Sequence, residues 1–177
     1  MDISKLKTPA QSWRAKALSF LPAAVWYAVI FAFSAQTGEE SGRLSSAVAH
    51  RGAGLLGELG AIFETDWDAF LLLTFFLRKA AHMGIYFILT ALLLYGLWRA
   101  GASPRLRSAF AAGLCAALAA LDEFHQTFVP GRDGKLSDAL IDLSGGICFL
   151  LLWRLAGFLW KRKKASSLER ENACGRT

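Results

Sequence analysis

Four apolar runs of membrane length constrain this chain more than any other feature of its sequence. A helix that crosses a bilayer needs about 20 mostly apolar residues. Runs that meet this need lie at 17–35, about 76–98, about 106–127 and about 138–160. Since 54% of the 177 residues are hydrophobic, the chain is also too apolar for an ordinary soluble domain. We therefore predict an all-α integral membrane protein with four transmembrane helices.

The longest connection lies between the first two runs, over residues 36–68. Apolar residues recur there at helical spacing, but glycines at 52, 54, 57 and 60 weaken a helix. We predict an interfacial or re-entrant segment that lies on the membrane. Residues 68–77 are also apolar. They belong either to the same tilted helix as the second run or to a short segment that dips into the bilayer.

Lysine and arginine residues are concentrated in alternate flanks of the four runs. Thirteen lie at the N-terminus, between the second and third runs, and in the tail, whereas four lie in the other two connections. The thirteen are Lys5, Lys7, Arg14, Lys16, Arg99, Arg105, Arg107, Lys161, Arg162, Lys163, Lys164, Arg170 and Arg176, and the four are Arg43, Arg51, Arg132 and Lys135. Because cytoplasmic flanks carry the excess, we predict that both termini are cytoplasmic. The chain then divides into a basic N-terminus (1–16), a membrane domain (17–160) and a basic tail (161–177).

Under this topology the polar residues within and beside the runs all fall at the outward ends of the helices. A charge near the bilayer centre costs about 2.5–3.5 kcal/mol, so the helix faces that carry these residues are expected to turn inward and meet. We predict that they form an outward-facing pocket that binds a ligand. Its candidate residues are Arg78, Lys79, His82, Tyr86, Asp122, Glu123, His125, Gln126, Arg132, Asp138 and Asp142.

The cations of this pocket admit two interpretations. Arg78, Lys79 and Arg132 suit the phosphate or carboxylate of an anionic membrane lipid or a lipid-linked cell-wall precursor. Alternatively, the same cations neutralise the neighbouring carboxylates and only join the helices, as an ion-pair knot in a structural or regulatory protein.

A third interpretation is a membrane-embedded hydrolase or transferase that acts on such a lipid. Glu123, Asp122, His82 and His125 are its candidate catalytic residues, as general acids and bases. No activated nucleophile is apparent in the sequence, so whether the protein is an enzyme stays open.

Neither a metal site nor a cofactor is predicted. The histidines lie on separate segments with no H-E-x-x-H spacing, and the three cysteines have no zinc-site spacing. The basic tail has no interleaved aromatic residues, so it indicates an anchor to anionic lipid and not a nucleic-acid interface. No oligomeric state is predicted.

Several strings resemble the VanZ-like family of bacterial membrane proteins. They are FSAQTGEESG (33–42), RKAAHMGIY (78–86), LDEFHQTFVPGRDGKLSDALID (121–142) and the Gly145-Gly146 pair. These strings occur in the order of the family and cover roughly residues 30–150. Asp142 is a departure, because the family commonly has Asn one turn after the aspartate that begins the fourth run.

The resemblance implies a multi-pass protein of the bacterial inner membrane. The family is named after a factor that raises resistance to the glycopeptide antibiotic teicoplanin without changing the cell-wall precursor. A link to glycopeptide resistance is therefore implied by the resemblance alone.

Overall fold

The computed structural model describes residues 12–55 and 67–174 of the chain. Their regular elements are six helices: α1 (Trp13–Leu18), α2 (Leu21–Ser34), α3 (Gly38–Leu55), α4 (Trp67–Arg99), α5 (Pro104–Gln126) and α6 (Leu136–Cys174). The all-α prediction is confirmed for this part of the chain.

Three helical segments are long and apolar enough to cross a membrane: Trp13–Ser34, Asp68–Arg99 and Leu136–Ser167. Large apolar side chains remain exposed along them, for example Leu151, Trp153 and Phe158 on α6 at 61%, 60% and 56%. Such a continuous apolar surface is stable in lipid and not in water. The structure thus supports a membrane protein.

Helix α5 differs from the helices of the other three predicted spans. It is not apolar enough, over the length of a membrane crossing, to count among the three segments above. Charged residues occupy both of its ends, and its middle is rich in alanine. Ala111, Cys115 and Ala119 are fully buried, so the small residues of α5 pack against its neighbours. A fourth membrane crossing at α5 stays a prediction.

Helix α4 settles the alternative over residues 68–77. It runs without a break from Trp67 to Arg99, so these residues belong to the same helix as the second run. With 33 residues it is about 50 Å long, well beyond the roughly 30 Å of bilayer hydrocarbon. Helix α6 is longer still and continues past residue 160 into the basic tail.

Helix α3 forms the first half of the predicted interfacial segment, and it continues through Gly52 and Gly54, two of the glycines predicted to weaken a helix there. Thr37 precedes it, and the Thr37 hydroxyl oxygen accepts a hydrogen bond from the Glu40 backbone N–H at 3.3 Å. Glu40 returns the interaction, since its Oε2 accepts from the Thr37 backbone N–H at 3.0 Å. This reciprocal capping box stabilises the start of the helix. The glycines predicted to weaken the segment at 57 and 60 lie outside the described residues.

Helices α4, α5 and α6 form the core of the bundle. Gly145 and Gly146 on α6 allow a close approach to the other two helices, since a Cβ atom at Gly145 would overlap the backbone oxygen of Met83 on α4. At Gly146 a Cβ atom would meet the side chains of Cys115 and Thr90 at 2.6 Å. This contact fixes the start of α6 against α4, one turn from Asp142 on α6 and next to His82 on α4.

Candidate functional site

Polar side chains gather at one end of the bundle, which we call the polar end. It is formed by the last turns of α2 and α5, the first turns of α6, and residues 78–86 of α4. Asp122, Glu123 and Asp142 are buried there, with 1%, 5% and 0% of their surface exposed. Buried carboxylates require hydrogen bonds or cations around them, so their partners indicate what the polar end can do.

Gln126 connects two of these carboxylates to a cation. Its amide nitrogen donates to Asp122 Oδ2 at 3.2 Å and to Glu123 Oε1 at 3.3 Å. Its amide oxygen accepts from Nε and Nη2 of Arg132, at 3.1 and 2.6 Å. The other oxygen of Glu123 accepts from the backbone N–H of Lys135 at 2.9 Å. Arg132 and the Lys135 backbone therefore tie the loop after α5 to Gln126 and Glu123 at the end of that helix.

Two further contacts join α4 to α6. Lys79 Nζ lies 2.6 Å from Asp138 Oδ1, and His82 Nδ1 lies 3.2 Å from Asp142 Oδ1. One ligand atom each from His82, Glu123 and Asp142 falls within 4.8 Å of the other two, close enough to hold a metal ion. These residues come from α4, α5 and α6, so only the folded bundle brings them together.

Arg78 and Arg132 lie close enough to interact electrostatically. Burial lowers the pKa of Arg132, and the positive charge of Arg78 lowers it further. Within residues 12–55 and 67–174, neither arginine forms an ion pair with a carboxylate. The carboxylates of Glu123 and Asp122 attract Arg132 only from a distance. Two guanidinium groups without a directly bonded anion have the charge and the N–H donors to hold one.

A cavity of about 310 Å³ opens beside these arginines, between α2, α3 and α4. The part of its wall at the polar end of the bundle is formed by Arg78, His82, Asp122 and Arg132, together with Ser34. The remaining wall is mainly apolar and consists of Trp26, Val29, Ile30, Phe33, Leu44, Val48, Leu77, Ala81 and Ile85, with Gln36, Ser41 and Ser45 among them. The cavity is therefore amphipathic, as a lipid-binding site is.

Tyr86 and His125, two of the predicted site residues, make their contacts away from this cavity. Tyr86 is fully buried in the core, and its hydroxyl has no hydrogen-bond partner in the described part of the chain. The ring of His125 packs on Phe31 of α2 with a centroid distance of 4.3 Å.

The predicted ligand-binding residues therefore separate into three groups. Arg78, His82, Asp122 and Arg132 line the cavity. Lys79 and Asp138 form an ion pair with each other, and both side chains are partly exposed. The third group lies outside the cavity lining and consists of Tyr86, Glu123, His125, Gln126 and Asp142.

The apolar wall of the cavity was not predicted from the sequence. Trp26 and Phe33 belong to an apolar run in which cavity-lining and lipid-facing residues look alike. In the structure Trp26 donates a hydrogen bond from Nε1 to the backbone oxygen of Ile85 at 2.9 Å, which joins α2 to α4. Ser34 and Ser41 do carry a signal, because both lie in the FSAQTGEESG string.

A protein-family model described as VanZ/LLP1 matches residues 19–157, from the start of α2 to the membrane part of α6. The match covers most of the chain and includes every residue of the polar end named above. No curated protein and no solved structure matches the chain.

Proposed function

This chain belongs to the VanZ-like family, and on that premise we propose that it binds an anionic lipid of the cell envelope, or the anionic head group of a lipid-linked precursor. The observation that carries the proposal is the position of Arg78 and Arg132 at the polar end of an apolar cavity. The ligand's phosphate or carboxylate lies between the two guanidinium groups, and its hydrocarbon chain lies along α2 and α3.

The charge at the site supports an anionic ligand. The direct hydrogen-bond partner of Arg132 is the neutral amide of Gln126, so no carboxylate is bonded to the guanidinium group and its remaining N–H donors can reach a ligand. A guanidinium group offers paired N–H donors that match a phosphate or carboxylate, and a desolvated site strengthens this interaction. Lys79 was also predicted to hold the anion, but its ammonium group is taken by Asp138 at 2.6 Å. The proposal accordingly rests on the two arginines.

The walls of the cavity support a lipid and not a small soluble anion. Phe33, Leu44 and Val48 line the cavity and are also exposed on the surface of the protein, at 54%, 47% and 52%. In a bilayer such an apolar opening faces hydrocarbon, so a lipid chain can enter from the side. We propose that this opening lies in the outer half of the inner membrane, with both termini cytoplasmic, because of the lysine and arginine distribution.

The ion-pair knot accounts for the structure less well. It requires Arg78, Lys79 and Arg132 to pair with carboxylates, whereas Lys79 alone does so among the described residues. The proposal includes a link to teicoplanin resistance, and membership of the VanZ-like family is its only support.

Native mass spectrometry of the purified full chain tests the proposal. We expect a co-purified lipid whose bound fraction falls at least about tenfold when Arg78→Gln and Arg132→Gln are combined, since each removes a charge-assisted contact. Lys135→Gln is the matched control, because Lys135 lies in the same loop and its side chain is 62% exposed. This control should keep the lipid.

Added ligands distinguish the source of the anion. Vesicles of phosphatidylglycerol should raise the midpoint of thermal unfolding, whereas phosphatidylcholine vesicles and inorganic phosphate should not. An equal effect of inorganic phosphate would refute a lipid ligand, and an unchanged bound fraction in the double variant would refute the site. Glu123→Gln should leave binding intact, and head-group turnover that this substitution abolishes would instead indicate the enzyme.

A further inference from the structure

Three side chains of the metal-binding type meet at the polar end from three different helices. They are His82 on α4, Glu123 on α5 and Asp142 on α6, and their ligand atoms lie within 4.8 Å of one another. Ligands on a single zinc-class ion, at bond lengths of about 2.0–2.2 Å, lie roughly 3–4 Å apart. Small side-chain rotations therefore bring all three atoms to one ion.

The environment of Asp142 gives an independent indication of a cation. This residue is fully buried, and its Oδ2 has no hydrogen-bond partner among the described residues. Its Oδ1 faces His82 Nδ1 at 3.2 Å. A buried carboxylate oxygen that is left without a partner costs free energy, and a bound cation removes this cost.

No lysine or arginine among the described residues bonds to Asp142 Oδ2. Lys79 lies 2.6 Å from Asp138, Arg132 donates to Gln126, and Arg78 forms no ion pair with a described carboxylate. Asp122, which is 1% exposed, adds a further carboxylate next to Glu123 on α5. The centre of the polar end thus holds more carboxylate charge than its directly bonded protein cations balance.

The surroundings also hold Glu123 and Asp142 in place. Glu123 accepts hydrogen bonds from the amide of Gln126 and from the backbone of Lys135. Asp142 is positioned by the close approach of α6 to α4 at Gly145. Supporting contacts of this kind orient metal ligands in known sites. His82 also lines the cavity, which leaves a path for the ion and an open side for a further ligand.

We propose that His82, Glu123 and Asp142 bind one divalent transition-metal ion of the zinc class, with an open coordination position towards the cavity. One imidazole and two carboxylates form a mixed nitrogen and oxygen set that suits Zn²⁺ better than Mg²⁺ or Ca²⁺. The sequence predicted no metal site, because ligands on three separate helices leave no local spacing. The argument for this site does not use the proposed lipid, since Glu123 and Asp142 do not line the cavity and His82 alone is shared with it.

Cobalt binding tests the site, because the visible absorption of Co²⁺ reports its ligands. The full chain is purified in detergent, treated with EDTA and titrated with Co²⁺. We expect one Co²⁺ ion per chain, displaced by Zn²⁺ and not by Mg²⁺. His82→Gln and Asp142→Asn should each weaken Co²⁺ binding about 100-fold or more, since even supporting residues contribute about 10- to 100-fold.

His125→Gln is the matched control, because this histidine lies at the same end of the bundle and packs on Phe31 instead. It should leave Co²⁺ affinity unchanged. The wild-type chain decides the question even if a variant fails to fold: absence of saturable Co²⁺ binding overturns the site, as does wild-type affinity in Glu123→Gln. The Arg78→Gln and Arg132→Gln double variant should still bind Co²⁺, so failure of the lipid site and failure of the metal site are distinguishable.

Discussion

The amide oxygen of Gln126 accepts two hydrogen bonds from the guanidinium of Arg132, at 3.1 Å from Nε and 2.6 Å from Nη2. This contact holds the guanidinium in place without neutralising it. A neutral partner at this position leaves N–H donors of the guanidinium for the anion that we propose as the ligand, as an internal ion pair would not.

Gln126→Glu should therefore weaken binding of an anionic lipid by about tenfold or more. The new carboxylate would pair with Arg132 and compete with the ligand for the same N–H donors. It would also add negative charge beside Asp122 and Glu123, its present hydrogen-bond partners. The bound fraction in native mass spectrometry measures the effect. Gln126→Leu, which removes the amide without adding charge, should lose less affinity, and the reverse order would contradict this role of Gln126.

Gly145→Ala should destabilise the protein by about 1–3 kcal/mol. An added Cβ atom would overlap the backbone oxygen of Met83, and backbone cannot move aside as a flexible side chain can. Thermal unfolding in detergent measures the loss. Gly157→Ala on the same helix is the control, because a Cβ atom there meets nothing within 4 Å. It should unfold at or slightly above the wild-type temperature, and equal behaviour of the two variants would show that α4 and α6 do not pack this closely.

Exchanging the charges of Lys79 and Asp138 should show that the two residues are coupled in their effect on stability. Each side chain is about a quarter exposed, so reversing one charge should cost only about 1 kcal/mol. Lys79→Asp combined with Asp138→Lys should recover most of this loss in thermal stability and membrane yield. The same exchange between Arg78 and Asp122 should recover nothing, because these residues form no ion pair in the described structure. Recovery in both exchanges would favour the ion-pair knot.

The start of α3 should depend on pH through Glu40. Its hydrogen bond from the Thr37 backbone N–H is the main reason that the pKa of Glu40 lies below its ordinary value of 4.5. A lowered pKa means that the carboxylate stabilises the folded helix above about pH 4.5, and that this contribution is lost as the pH falls through the lowered value.

Hydrogen exchange of peptides from α3 measures this contribution. Glu40→Gln should lower protection near pH 7, where Glu40 is ionised, and should match the wild type well below pH 4.5. Glu39→Gln is the control, since the capping box uses Glu40 and Thr37. A difference that persists unchanged at low pH would show that charge is not the cause.

The family and most of the helical architecture followed from the amino-acid sequence. In lipid a backbone must satisfy its hydrogen bonds internally, so apolar runs of about 20 residues predict helices directly. The strings around Arg78 and Asp122 were specific enough to identify the VanZ-like family. Helix α5 has the weakest hydropathy of the four predicted spans, because its small apolar residues pack inside the bundle.

Only the tertiary structure decided which polar groups are partners. The sequence placed the charges at one end but could not assign Lys79 to Asp138 or Arg132 to Gln126, because partner choice depends on the rotation and depth of each helix. The same limit applies to the cavity wall. Phe33 lines the cavity from a run in which every apolar side chain has the same chemistry, so its role was set by where α2, α3 and α4 leave a gap.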